Sequence, residues 1–207
     1  ALGTTFVSCF GYIAFARMVS GMGTTIFAAH SIAITAEQIV YIPGYGLRVA
    51  TSTLVGNALG EKDIRKLKAT ERVSILITLL IMVVNGIGLY LFAYPFMRLF
   101  TNSVNAARIG SEMLRLVSFS EPFFGLMIVL EGISYGMGRT KHVFACEAVS
   151  MWGIRIFGTF LCVNVFGLGL KAVWLCMIAD NICKAILLYI FRPKHVEENA
   201  DDRGELR

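Results

Sequence analysis

The chain has 207 residues, of which 56% are hydrophobic and only 16% charged. A soluble domain carries roughly a quarter charged residues, so there is too little charge here to solvate a water-facing surface, and a soluble globular domain is excluded. The net charge of +5 lies between apolar runs. That is the pattern of a membrane protein with its basic loops on one side and not that of a nucleic-acid binder.

Six membrane-spanning helices are expected, giving an all-α polytopic membrane protein. The first covers about residues 1–19. The chain opens directly on this apolar run, with no initiator Met and no signal-peptide pattern, so it is expected to be a piece of a longer protein. Gly21-Met22-Gly23 makes a tight turn. The second helix covers 24–59, which is too long to cross straight, and Pro43-Gly44 lies inside it. Proline removes a backbone hydrogen bond and kinks a helix, so a kinked or tilted span is expected.

The third helix, 73–97, is the clearest, because all 25 of its residues are uncharged. About 20 residues suffice to span a bilayer at 1.5 Å rise each. The fourth covers 109–135 with Pro122 inside it, the fifth 142–166 and the sixth 170–191. A polar tail of mixed charge, 193–207, follows and is expected to be cytoplasmic. Five cysteines all lie inside apolar runs with no CxxC among them. They read as small buried hydrophobes, not as a disulfide framework.

The loops supply a direction. Lys62, Arg65, Lys66, Lys68 and Arg72 lie between helices two and three. Arg139 and Lys141 lie between four and five, and Arg192 and Lys194 follow six. These three regions alternate onto one side, which the positive-inside rule makes cytoplasmic. The expected placement is a multi-pass protein of the cell membrane with both ends of the chain cytoplasmic.

Motifs then appear in order. Ala28-Ala29-His30-Ser31-Ile32-Ala33 is followed by Glu37, by Pro43-Gly44, and by Thr53-Leu54-Val55-Gly56-Asn57-Ala58-Leu59-Gly60. Next come Gly132-Ile133-Ser134-Tyr135-Gly136-Met137-Gly138-Arg139-Thr140, then Trp152-Gly153-Ile154-Arg155-Ile156, and finally Gly167-Leu168-Gly169 through Val173-Trp174. Across residues 1–192 this series resembles the second half of the MATE family, the multidrug and toxic compound extrusion transporters. Asn57 stands where Gln is common in that family, Tyr135 where Arg is usual, and Phe157 where Pro is usual.

The resemblance implies a C-terminal six-helix lobe of a two-lobe transporter, with an N-terminal lobe as its partner. It further implies exchange of Na⁺ or H⁺ for organic, mostly cationic compounds by alternating access. No cofactor beyond the coupling ion is expected. A related lipid-linked sugar flippase would favour a deep basic cavity. A non-transport membrane subunit or membrane enzyme would need a catalytic constellation. The chain holds no GxxxxGK[ST], no HExxH and no GxSxG, so it is not expected to be an enzyme.

Charges inside the expected spans are the candidate site residues, since a charge at mid-bilayer costs about 2.5–3.5 kcal/mol on insertion scales. They are Glu37, Glu121, Glu131, Glu147, Arg155, Asp180 and Lys184, and the acids outnumber the bases. Glu37 lies about 20 Å along its helix by the 1.5 Å rise, on a position where a large MATE subgroup carries Glu. The cation-binding acid that some MATE members hold on the tenth helix falls at Phe124. Glu121 and Glu131 flank that position on a similar face and could replace it. Glu37, Glu121 and Glu131 are therefore the cation, proton or substrate candidates, with no catalytic residue and no metal site expected. Glu147, Arg155, Asp180 and Lys184 are expected to form a structural charge network. His30, alone in its span, is expected to bond between helices.

Overall fold

The computed structural model describes residues 2–191, with side chains from Phe10 onward. The tail expected at 193–207 lies outside the described residues. Seven helices follow one another with no strand among the described residues: α1 (Leu2–Ser20), α2 (Thr24–Gly60), α3 (Ile64–Phe100), α4 (Val104–Ser118), α5 (Glu121–Gly136), α6 (Thr140–Val165) and α7 (Leu170–Ile190).

Local chemistry sets the boundaries. Gly23, at φ 113°, makes the left-handed turn that opens α2, a conformation that suits glycine. The Asp63 side chain accepts the Lys66 amide at 2.9 Å and starts α3, and Ser103 caps α4 through the Ala106 amide. Because of the Asp63 cap, α3 begins nine residues before the apolar run expected at 73–97. The basic stretch Arg65–Arg72 is the first two turns of the same helix and not a loop.

The expected fourth span is two helices bent by 61°. Pro122 explains the break. It stands in the first turn of α5, where its missing N–H costs nothing, whereas a proline four residues further into a continuing α4 would clash with the preceding turn. The fifth span is one helix with two wide, i→i+5 turns, Met151–Ile156 and Leu161–Val165.

Among the described residues, four helices are long and apolar enough to cross a membrane, and the bent α4–α5 pair makes a fifth. The first expected span is α1, a helix of 19 residues outside that count. The outer face of α3, with Leu76, Leu80, Val84, Ile87 and Leu91, is exposed and suits lipid.

In lipid, apolar burial does not drive helices together, and small residues let backbones approach. The seam between α2 and α5 is built this way. A Cβ on Gly132 would lie 2.7 Å from the Arg48 carbonyl, and one on Gly136 would lie 2.6 Å from the Ser52 carbonyl. Two apolar clusters fill the interior. One gathers Phe15, Ala33, Met97, Leu114 and Trp174; the other gathers Tyr41, Val55, Met82, Phe124 and Leu188. The helix α5 is central, with 11 of its 16 residues buried, and it carries two of the candidate acids.

Candidate cation site and its charge network

Three helices meet around Glu37. On α2, Glu37 is 3% exposed, and one turn on, the Tyr41 hydroxyl donates to Glu37 Oε1 at 2.5 Å. The four-residue spacing puts the two side chains on one face. The Tyr41 ring lies flat on Phe124 of α5, with centroids 3.7 Å apart and planes 14° apart. Tyr45, a further turn along α2, meets the same Phe124 ring edge-on at 6.1 Å. On α3, the Asn85 side-chain amide donates to the Val40 carbonyl at 3.2 Å.

Glu121 opens α5 one turn before Phe124. It is fully buried, and neither carboxylate oxygen has a hydrogen-bond partner among the described residues. It sits against Gly86 of α3, where a Cβ would meet Glu121 Cβ at 3.2 Å and the Ser118 carbonyl at 2.7 Å. Glu37 and Glu121 are within electrostatic reach of each other. A buried polar group without a partner is uncommon and calls for a reason. Here the carboxylate stands at the start of one helix, beside the last turn of another. Broken helices that line ion sites in transporters present such ends.

A second cluster lies beside the first. Arg155 Nε of α6 pairs with Asp180 Oδ2 of α7 at 2.8 Å, and the Ser150 hydroxyl also donates to Asp180. The Arg155 guanidinium stands over the Tyr12 and Phe15 rings of α1 at 5.9 and 6.0 Å and within electrostatic reach of Glu37. In a regular helix, residues five apart diverge by about 140° at 3.6 residues per turn. The wide turn at Met151–Ile156 widens the loop of chain, so Ser150 and Arg155 face the same acid.

The third cluster lies further along α5. Glu131 Oε2 pairs with Arg48 Nη1 of α2 at 3.0 Å. The Arg48 guanidinium stands 5.2 Å over Tyr45 and 6.0 Å over Tyr135. Lys184 and Glu147 are within electrostatic reach of Glu131. The expected network of Glu147, Arg155, Asp180 and Lys184 is thus divided. Asp180 turns to Arg155, while Lys184, one helical turn further along α7, belongs with Glu131. Of the three acids expected as cation candidates, Glu37 and Glu121 lie within electrostatic reach of each other, and Glu131 pairs with Arg48.

Sequence reasoning left out Arg48 and Ser150, and read Tyr41 as one of many aromatic residues that simply face lipid or other helices. A signal for Arg48 was present, since it is the one lysine or arginine between Thr24 and Gly60. His30 accepts the Trp174 indole N–H at 3.1 Å, joining α2 to α7.

A family model, MatE, matches residues 1–161 of the chain. The chain belongs to the MatE family. The matched span holds Glu37, Glu121, Glu131 and Arg155, so the acid pair and the buried arginine lie on MatE-type sequence. Among curated proteins it is similar to a probable multidrug resistance protein NorM of Thermotoga maritima, 30% identical over 188 residues, which are 90% of this chain and 40% of that protein. A probable multidrug resistance protein NorM of Photorhabdus laumondii is 28% identical over 82% of the chain and 38% of its own length. The chain spans about 40% of the length of these curated relatives.

Solved structures share the MatE fold. A MOP superfamily transporter from Pyrococcus furiosus superposes with a TM-score of 0.84 at 19% identity, covering 94% of this chain and 44% of that one. The eukaryotic MATE transporter AtDTX14 gives 0.82 at 21% identity, over 95% of this chain and 46% of its own. In this MatE chain the Phe124 ring stands on Tyr41, one turn from each of two buried carboxylates, Glu121 on its own helix and Glu37 through the Tyr41 hydroxyl. What two buried carboxylates can do chemically is take up a small cation or a proton.

Proposed function

We propose that this chain is the C-terminal six-helix lobe of a cation-coupled antiporter of the cell membrane, which exports organic, mostly cationic compounds by alternating access. Na⁺ or H⁺ is the coupling ion, an N-terminal lobe is the partner, and both ends of the chain face the cytoplasm. Membership of the MatE family and the multidrug resistance relatives support export of small organic compounds, and a transporter in place of an enzyme. The observation that carries the coupling role is the Glu121 carboxylate, fully buried and without a hydrogen-bond partner among the described residues, within electrostatic reach of the buried Glu37. Two carboxylates in a low-dielectric interior cannot both stay ionised at low cost, so the pair favours taking up a positive charge.

The test is drug efflux by the full-length protein in liposomes, with Na⁺ and pH gradients imposed separately. Glu37→Gln and Glu121→Gln should each lower ion-driven efflux by tenfold or more while leaving the amount of folded protein unchanged. Unaltered efflux in both variants would remove the pair as the coupling site. The 207 residues alone should not transport, because alternating access needs two lobes. Transport by this chain by itself would overturn the half-transporter reading.

A further inference from the structure

We propose that Tyr41 is a positioning residue of the cation site, holding Glu37 through its hydroxyl and passing the occupancy of the site to the α2–α5 seam through its ring on Phe124. This rests on the reading of Glu37 and Glu121 as the coupling acids.

Both ends of the tyrosine are committed. Its hydroxyl donates to Glu37 Oε1 at 2.5 Å, and its ring is stacked on Phe124 at 3.7 Å. Phe124 lies three residues after Glu121, so the Tyr41 ring and the Glu121 carboxylate share one face of α5. Phe124 is in turn met edge-on by Tyr45, over which the Arg48 guanidinium stands on its way to Glu131. Contacts therefore run without a gap from Glu37 through Tyr41, Phe124, Tyr45 and Arg48 to Glu131.

The chemistry of the hydroxyl gives the link its sense. A phenol O–H donates strongly to an ionised carboxylate, and charge-assisted bonds of this kind are about twice as strong as neutral ones. When a cation or a proton occupies Glu37, it competes for the same oxygen lone pairs and the tyrosine bond weakens. The ring is then held by Phe124 alone. With Glu37 empty, the ring is held at both ends. The torsions of Tyr41 thus depend on the charge state of Glu37. Pro43, two residues after Tyr41 on α2, lacks the amide that would otherwise bond back to the Ile39 carbonyl and brace this turn.

The experiment compares Tyr41→Phe, Phe124→Leu and Glu37→Gln in the full-length protein in liposomes, reading drug efflux against the concentration of the driving ion. Tyr41→Phe keeps the stack and removes the donor that competes with the ion. Its half-saturating ion concentration should fall about tenfold, and its maximal rate should fall as well, because the ring no longer follows the charge of Glu37. Phe124→Leu keeps the hydroxyl and removes the ring partner. Its maximal rate should fall by tenfold or more, and Phe124→Tyr should restore it. A merely structural role for Tyr41 would lower the yield of folded protein and leave the ion dependence in place. If Glu37→Gln abolishes ion-driven efflux but Tyr41→Phe shows the parent's ion dependence, the role of Tyr41 is overturned and the acid pair stands. If Glu37→Gln retains ion-driven efflux, the site reading itself fails, and the inference on Tyr41 fails with it.

Discussion

Removing the Arg155 guanidinium tests the charge network most sharply. In Arg155→Met, Asp180 loses its ion-pair partner while its side chain remains 2% exposed. The Ser150 hydroxyl still donates to the Asp180 carboxylate, so one bond to the acid survives. Glu37 loses the positive charge within its reach. Breaking a buried pair from one side costs about 3–5 kcal/mol, because the remaining charge stays buried and uncompensated. Two acids share the loss here, so the upper half of that range is expected. Asp180→Asn leaves the cation instead, and Arg155 keeps the Tyr12 and Phe15 rings. Cation–ring contact contributes about 0.5–2 kcal/mol, so this variant should be the milder of the two. The double change Arg155→Met with Asp180→Leu removes both charges and should recover most of the loss. The assay is denaturant unfolding of the purified full-length protein in bicelles, with thermal scans as a second reading. Arg155→Met should lower Tm by on the order of 10 °C. A single variant within about 0.5 kcal/mol of the parent, or a double variant as unstable as the two singles summed, would refute the buried-pair reasoning.

Two further outcomes follow from the seam. Gly136→Ala forces a Cβ to within 2.6 Å of the Ser52 carbonyl, and overpacking of this kind costs about 1–3 kcal/mol. Gly46→Ala, where a Cβ would meet nothing within 4 Å, is the control in the same unfolding assay and should be neutral. Arg48→Met should cost about 1–2 kcal/mol, less than Arg155→Met. The Arg48 side chain is 32% exposed and screened by water, and Lys184 still faces Glu131. Equal losses in the two arginine variants would show that burial does not set the cost.

The spans were legible because lipid demands long uncharged runs, and Val73–Met97 meets that demand without exception. The bend before Glu121 was less legible. Pro122 was visible, but a proline can kink a helix or start one, and only packing against Gly86 decides between them. The charges were visible as residues and not as pairs. Asp180 and Lys184 look like partners at four-residue spacing, yet Asp180 bonds across helices to Arg155. Ser150 was invisible for a definite reason: five residues from Arg155, a regular helix would turn it away. Arg48 was passed over although it stands in an apolar stretch, and Tyr41 read as one aromatic residue among many. Their roles depend on what α5 presents at the same height.

The wide turn in α6 also bears on how this helix tolerates change. A turn of this kind is, in effect, one residue inserted into a regular helix. Deleting a single residue within Met151–Ile154 would return the segment to ordinary winding and leave the arginine four residues after Ser150, about 40° around the helix and still on the face of Asp180. Keeping all five residues but forcing them into ordinary winding would instead turn Arg155 about 140° from Ser150, with every side chain of the pair still present. The winding of the chain between Ser150 and Arg155, as much as the identity of either residue, is what keeps the buried charge neutralised.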